Sequence, residues 1–580
     1  MAQHGTGCSY DVLVVGSGIA GISAAIEAAR AGAHVCLATQ GKPFGGSSFF
    51  PGTWGLGLIA PADDADERDL AATINAVGCN MVVPELADTF VHGIRPALAW
   101  LEELGVALEK PADAASAQED AFIPCFDHKH RLWRGLTRTS MERAFGREIE
   151  RLGIDVRAGW ELIDLIDEAD TPLSPSRTCA FAPLTASPWK QNANGSRGDR
   201  RIRGGIFFDC ARQRMATLSS RATVLATGGT SGLFARRLTA RDVTSSVQGI
   251  ALAHGCTLIN IEFMQMMPGL IAPKRNLVFN EKSFRYADTD PALARELLIE
   301  RSSHGPFTVR LATREVDLAI AACGERGMKV RYHFPKQNVP EFVRTFSSWL
   351  SDAQGIGADE ELAIALYAHA SNGGILIDSD GRCGPAGLYA AGEATGGMHG
   401  ADRIGGLSSA NGLVFGRRAG RAAATYALSA NGDKAESAPH AVSYPQDAGY
   451  RSSTEMVRLP LPTSVDTAAM TDELHRVMQR SAMLPRTAEG LTDALSRLEE
   501  LERRVRARDS HSGATGPSSE MPASTQAQAA TLGAQLLLGR AMLTAMLARA
   551  ESRGAHFRAD CPEQNRDYSQ PNIILLSSPR

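Results

Sequence analysis

The stretch "DVLVVGSGIAGISAA", Asp11 to Ala25, leaves this chain few folds to choose from. Its short run of valine and leucine has no polar alternation, which suits a strand buried on both faces of a parallel sheet. Gly16, Gly18 and Gly21 follow at G-x-G-x-x-G spacing, and an alanine-rich helical pattern then runs to Gly32. In such a motif the first glycine makes the tight turn, the second lets the backbone approach a pyrophosphate, and the third lets helix and strand pack closely. The helix start offers unpaired N–H groups and a positive dipole end to phosphates. "AHVCLAT" reads as the next strand and completes a βαβ unit. That strand ends in Thr39 and Gln40, not in the carboxylate that holds a ribose 2′-OH in simple NAD enzymes, although both residues can still hydrogen-bond a ribose.

A chain of 580 residues exceeds what one core supports, so two or three sub-domains are expected. Its net charge of −4 argues against a nucleic-acid partner. The ten cysteines include no C-x-x-C pair, so zinc knuckles, cysteine-ligated clusters and attached haem have no visible ligand set, and no metal is expected. Reduced thiols point to the cytoplasm. The N-terminus enters its first strand without a basic or long apolar leader, and no run of 18 apolar residues suggests a membrane span.

Two segments rich in Pro, Ser, Asn and Gly, about 170–203 and 509–528, read as surface insertions. "RATVLATGG", Arg221 to Gly229, is a further buried strand ending in glycines. A second glycine cluster then appears late in the chain, "LYAAGEATGGMHGADRIGG", Leu388 to Gly406, studded with Glu393, His399 and Arg403.

This second cluster resembles the closing segment of the FAD domain in the fumarate reductase/succinate dehydrogenase flavoprotein family (FAD-dependent oxidoreductase 2), which includes L-aspartate oxidase. Other segments resemble the family in the same order. "KPFGGSSFFPGTWGLG" is similar to the flavin-contacting loop, "LATGG" to the third dinucleotide segment, and "IEFMQMMP" to E-F-x-Q-x-H-P-T. "LATREV" is similar to the R-D-V motif, "HASNGG" to H-x-x-x-G-G, and "SRGAHFRADCPE" to the C-terminal signature. The resemblance implies FAD clasped by both glycine clusters, with Gly16, Gly18, Gly21, Thr39, Gly46, Ser47, Ser48, Gly228, Glu393, Ser408 and Ser409 as its contacts. The histidine that carries covalent FAD in respiratory members aligns with Ser47–Ser48, so non-covalent FAD is implied.

The family's chemistry moves a hydride between flavin N5 and a carbon of a carboxylate-activated C–C bond, while an arginine moves the proton. By motif that arginine is Arg314, with Glu281 and Arg285 as its relay, although the family's E-x-x-R spacing is E-x-x-x-R here. Arg403 and His369 are the implied carboxylate binders, the guanidinium because its fork donates two parallel hydrogen bonds. His399 stands between site and support. The family's H-P-T histidine is Met267 here, its threonine is Gly269, and Gln248 stands where a T-G-D-G aspartate is usual. Methionine donates no hydrogen bond, so a substrate with one carboxylate at the Arg403 end and a less polar group at the Met267 end is expected.

The expected architecture is α/β: a doubly wound, Rossmann-like FAD-binding domain from 1–240 and 356–435, an inserted α+β capping domain over 241–355, and a C-terminal helical domain over 460–580. The expected activity is FAD-dependent reduction of an α,β-unsaturated carboxylic acid. The alternatives are an L-aspartate oxidase-like activity on CH–NH2 groups and a flavoprotein subunit of a respiratory complex. The electron donor or acceptor is open, with an iron–sulfur protein as one candidate.

Overall fold

The computed structural model describes residues 9–111, 127, 131–168, 179–184, 200–335, 340–357, 359–429, 466–506 and 522–576. Most of the two expected insertions, 170–203 and 509–528, therefore lies outside the described residues.

A seven-stranded sheet organises the first domain. Its centre is Ser9–Val15, where Val12, Leu13 and Val14 are fully buried, as an unalternating apolar run requires. Val35–Thr39 and Arg214–Leu225 flank it in parallel, and Asp155–Ala158 extends one edge. Ile202–Asp209 and Trp160–Asp167 continue from Arg214–Leu225 as an antiparallel meander. The late strand Leu388–Ala390 pairs in parallel with Arg214–Leu225, so the chain does return to its first sheet.

The return is fixed by small residues. The helix Leu407–Leu428 carries Gly412, Gly416 and Gly420 on one stripe facing the helix Ile19–Arg30. A Cβ at these positions would lie 2.6 Å from Ile19 Cγ2, 2.4 Å from the Ala20 oxygen and 2.2 Å from the Ala24 oxygen. Only glycine allows the two helices this approach. It brings both helix N-termini, one behind each glycine cluster, to the same place.

The capping domain is built on a five-stranded antiparallel sheet, in the order Leu277–Val278, Met264–Ala272, Leu362–Ser371, Met328–Tyr332 and Ala287–Asp290. This corrects the expected boundary at 355/356. The strand Leu362–Ser371 belongs to the cap, pairing with Met264–Ala272 on one side and Met328–Tyr332 on the other. Its apolar run "LAIALYAHAS" reads as a buried strand wherever it goes, and only its distant ladder partners assign it.

Three helices, Thr467–Ser481, Ala488–Arg506 and Ala523–Ala548, pack together as the expected C-terminal domain. The chain then adds a strand that the helical reading omitted, Asn572–Leu576, which pairs with Leu258–Ile259 and Cys179–Pro183. Ala523–Ala548 is long and apolar enough to cross a membrane. In this fold its Leu536, Leu538, Met542, Leu543 and Met546 are fully buried. The segment "SRGAHFRADCPE" is a junction: the Gly554 oxygen accepts from Val309 N of the cap, and Ala555 N donates to the Ala401 oxygen of the second glycine cluster. Beside it Arg549 is fully buried between Glu262 and Glu551, at 2.7 and 2.6 Å.

Candidate active site

One cavity of about 720 Å³ runs from the first glycine cluster to the cap. Gly16, Gly18, Thr39, Gly46, Ser47, Ser48, Gly228, Glu393, Ser408 and Ser409 line it together with Met267, Glu281, His369 and Arg403. Residues from both glycine clusters therefore face one space.

At its first end the backbone is shaped for close approach. Gly16 has φ +108°, and a Cβ on Gly21 would lie 1.8 Å from the Gly16 oxygen. Gly21 thus acts from behind the cavity wall and does not line it. Ser17 Oγ donates to Thr39 Oγ1 at 2.9 Å, and Ser48 Oγ accepts from Ile19 N at 3.1 Å, so both hydroxyls brace the glycine turn. Gly228 has φ +83°, and its oxygen accepts from Gln248 Nε2 at 2.7 Å. Glu393 accepts from Ser371 N at 3.0 Å, and a Cβ on Gly229 would lie 2.4 Å from its Oε1. Gly406, at φ +75°, turns the chain into Leu407–Leu428.

These features fit FAD. Two helix N-termini, with Gly18–Ile19 and Ser408–Ser409 at the cavity, present positive dipole ends to an anionic cofactor. Three polar atoms around them, Ser47 Oγ, Asp242 Oδ1 and Gln248 Oε1, are buried without a hydrogen-bond partner. Asp242 was not anticipated. It lines the cavity and its Oδ2 accepts from Gly46 N at 2.9 Å, while Gln248, which holds the aspartate's place in the motif, stands behind Gly228.

At the far end Arg403 is 8% exposed. Its Nε donates to Gln265 Oε1 at 3.1 Å and its Nη1 to the Ile404 oxygen at 3.3 Å. Burial, aided by Arg403, pushes the His369 imidazole down to about 3, so it faces the cavity neutral. Arg403 is then the cation of this corner. His399 does not line the cavity. Its ring stands edge-on to Phe90 at 5.6 Å, and Asn411 Nδ2 donates to its Nε2 at 3.4 Å, a supporting place behind the glycine loop. Burial pushes it too down to about 3.

Met267 packs in a small apolar cluster with Leu238, Val278, Ala365 and Tyr367, and Trp54 closes against it. Trp54 also stands 5.1 Å from Phe346 and 6.1 Å from Trp349 of the cap. Phe342 and Thr345, from the helix Glu341–Ser348, complete this wall. None of Trp54, Phe342 or Thr345 was foreseen.

The expected relay is not assembled. Glu281 lines the cavity, and burial raises its carboxyl above the usual range. Arg285 is exposed, its Nε donating to Ser302 Oγ at 3.2 Å, and it does not line the cavity. The one-residue excess in E-x-x-x-R explains this: both residues sit on the tight helical turn Glu281–Tyr286, and four steps of a three-residue turn carry Arg285 off Glu281's side. Arg314 begins the helix Arg314–Ala322 and also lies off the cavity lining, with Nη1 donating to the Val309 oxygen at 3.2 Å and Nε 3.5 Å from Glu315.

A doubly wound domain with this glycine cradle and a nearly buried arginine at the cavity under a cap defines a flavin-dependent oxidoreductase. The model of the FAD binding domain matches residues 11–409 and that of the fumarate reductase flavoprotein C-term matches residues 471–574. The chain belongs to this flavoprotein family and its cofactor is FAD. It is 29% identical to an L-aspartate oxidase of Caulobacter vibrioides, over 95% of this chain and 93% of that one. It is 25% identical to a subunit of the fumarate reductase (CoM/CoB) of Methanothermobacter marburgensis, over 97% and 96%. A quinol fumarate reductase of E. coli shares the fold with TM-score 0.71 and 21% identity, covering 96% of this chain and 93% of that one.

Proposed function

We propose that the protein reduces the C=C bond of an α,β-unsaturated carboxylic acid whose far end is apolar. The carrying observation is the contrast between two corners of one cavity: Arg403 and His369 at one, and the Met267 cluster with Trp54 at the other. Bound FAD supplies the hydride. Arg403, its fork oriented by Gln265, binds the carboxylate, and neutral His369 donates a further N–H. Fixing that group stabilises the negative charge that develops next to it. A second carboxylate against Met267 would be buried without donors, which is costly. Arg314 supplies the proton once the cap brings it to the cavity, and Glu281 is the one member of the expected relay that already faces the cavity. FAD is held non-covalently, and the work is done in the cytoplasm.

A second reading is oxidation of an amino acid, favoured by the near full-length similarity to an L-aspartate oxidase. A partner protein, with an iron–sulfur protein as one candidate, belongs to a third, supported by the similarity to a subunit of the Methanothermobacter marburgensis fumarate reductase. The test is anaerobic stopped-flow of dithionite-reduced protein against fumarate, crotonate, cinnamate and urocanate. Re-oxidation by a monocarboxylate that Arg314→Ala abolishes is the expected result. Re-oxidation by oxygen alone sinks the proposal in favour of the oxidase, and tight co-purification of a cysteine-rich protein favours the third reading.

A further inference from the structure

Four basic residues line the cavity: Lys110, Arg138, Lys282 and Arg403. Lys110 is exposed. Lys282 belongs to the cap and stands 4.5 Å over the Phe342 ring. Arg403 is the carboxylate binder described above. Arg138 has no role in that account.

We propose that Arg138 is a cofactor-facing cation that stabilises the reduced, electron-rich form of FAD and so raises its reduction potential. Among the described residues the guanidinium makes one hydrogen bond, Nη1 to the Thr53 oxygen at 3.1 Å. Its Nε and Nη2 are buried without a partner, and no carboxylate among the described residues forms an ion pair with it. Burial lowers its pKa and Glu142, one turn on, partly offsets this. A desolvated guanidinium in that state is unfavourable unless an anion shares its space. The anion this cavity is built to take is the cofactor.

Position decides which part of the cofactor it serves. The pyrophosphate belongs at Gly16–Gly18, where Ser48 is tied to Ile19. Arg138 is tied instead to Thr53, the neighbour of Trp54, which walls the Met267 compartment. It stands on the FAD-domain side, at the start of the helix Arg138–Leu152, with Thr137 and Thr139 also lining the cavity. Arg138 therefore serves the ring end. Reduction adds electron density to that ring, and a fixed cation in a poorly solvated cavity favours it.

The test is the midpoint potential of bound FAD, measured anaerobically by dye equilibration on holoprotein. Arg138→Met is expected to keep FAD and lose about tenfold in the reduced-to-oxidised ratio, which for a two-electron couple is about 30 mV. Arg138→Lys, which keeps the charge, should stay near the parent. Arg138→Gln, which can still donate to the Thr53 oxygen, covers the case in which Arg138→Met does not fold. An unchanged potential in the neutral variants overturns the proposal, whatever happens to thermal stability. So does a loss of FAD affinity with the potential unchanged, because the charge then faces the pyrophosphate.

Discussion

The two walls of the cavity are made differently. The FAD-domain wall is backbone: left-handed glycines at Gly16, Gly228 and Gly406, two helix starts, and side chains such as Ser48 and Thr39 that brace turns. The cap wall is side chain: Met267, Val278, Glu281, Phe342, each free to be another residue without disturbing a ladder. A backbone wall recognises what all members of such a family share. A side-chain wall decides what each one accepts.

The sharpest test of this contrast is Gly21→Ala. The added Cβ has no room beside the Gly16 oxygen, and the turn must open. FAD affinity is expected to fall at least ~100-fold, or ~2.8 kcal/mol, as read by flavin content after gel filtration. Met267→Leu on the other wall conserves volume; it should keep full flavin and cost under ~1.5 kcal/mol in stability. Equal flavin loss in both variants would erase the distinction.

Arg403→Met comes next. It removes the carboxylate's charged partner while leaving the helix starts intact, so kcat/KM for the best acid should fall ~10²–10³-fold with flavin content unchanged. Arg403→Lys should not restore activity, because a point charge lacks the two-pronged geometry. Recovery by lysine would mean that charge alone suffices at this corner.

The same contrast explains what could be read from the sequence. Gly16, Gly18, Gly21 and Gly228 announce themselves because a left-handed or crowded backbone excludes other residues locally. Glu393, Arg403 and Met267 were found because they stand at positions of motifs that resemble the family's, "AGE", "HGADR" and "IEFMQMMP". Asp242 was missed because it reaches Gly46 across the fold, six positions from where the motif sought an aspartate. Trp54, Phe342 and Arg138 carry no spacing signal at all; their place depends on tertiary packing. The placement of Leu362–Ser371 failed for the same reason, since a buried strand does not name its partner. One signal was present and unread: Gly412, Gly416 and Gly420 recur every four residues and predict a close helix partner.

A smaller effect probes the cap wall directly. Met267→His puts a donor where the apolar cluster now excludes one. A new hydrogen bond to a charged group contributes ~1.5–3 kcal/mol, so the fumarate-to-crotonate ratio of kcat/KM should rise about tenfold or more. No change in the ratio would show that the Met267 corner does not contact the substrate.

A last effect, read as thermal stability and not as activity or flavin content, lies at the seam between the walls. His254 ends the helix Val247–Ala253, which leads into the cap, and its fully buried ring meets Asp164 at 2.8 Å and Asp167 at 3.5 Å on the FAD-domain meander. Burial alone would lower its pKa, but the two carboxylates outweigh burial and hold it up at about 9. A histidine raised in the folded state stabilises the fold fully below its unfolded pKa of ~6.5, and that contribution disappears as pH rises through about 9. The shift corresponds to an effect on the order of 3 kcal/mol. For a chain of this size a change of that order moves the melting temperature by only several degrees. His254→Gln should therefore melt below the parent at pH 6 and approach it at pH 9.5. A constant gap between the two curves across that range would mean that the ring holds the seam by packing, and that its charge contributes nothing.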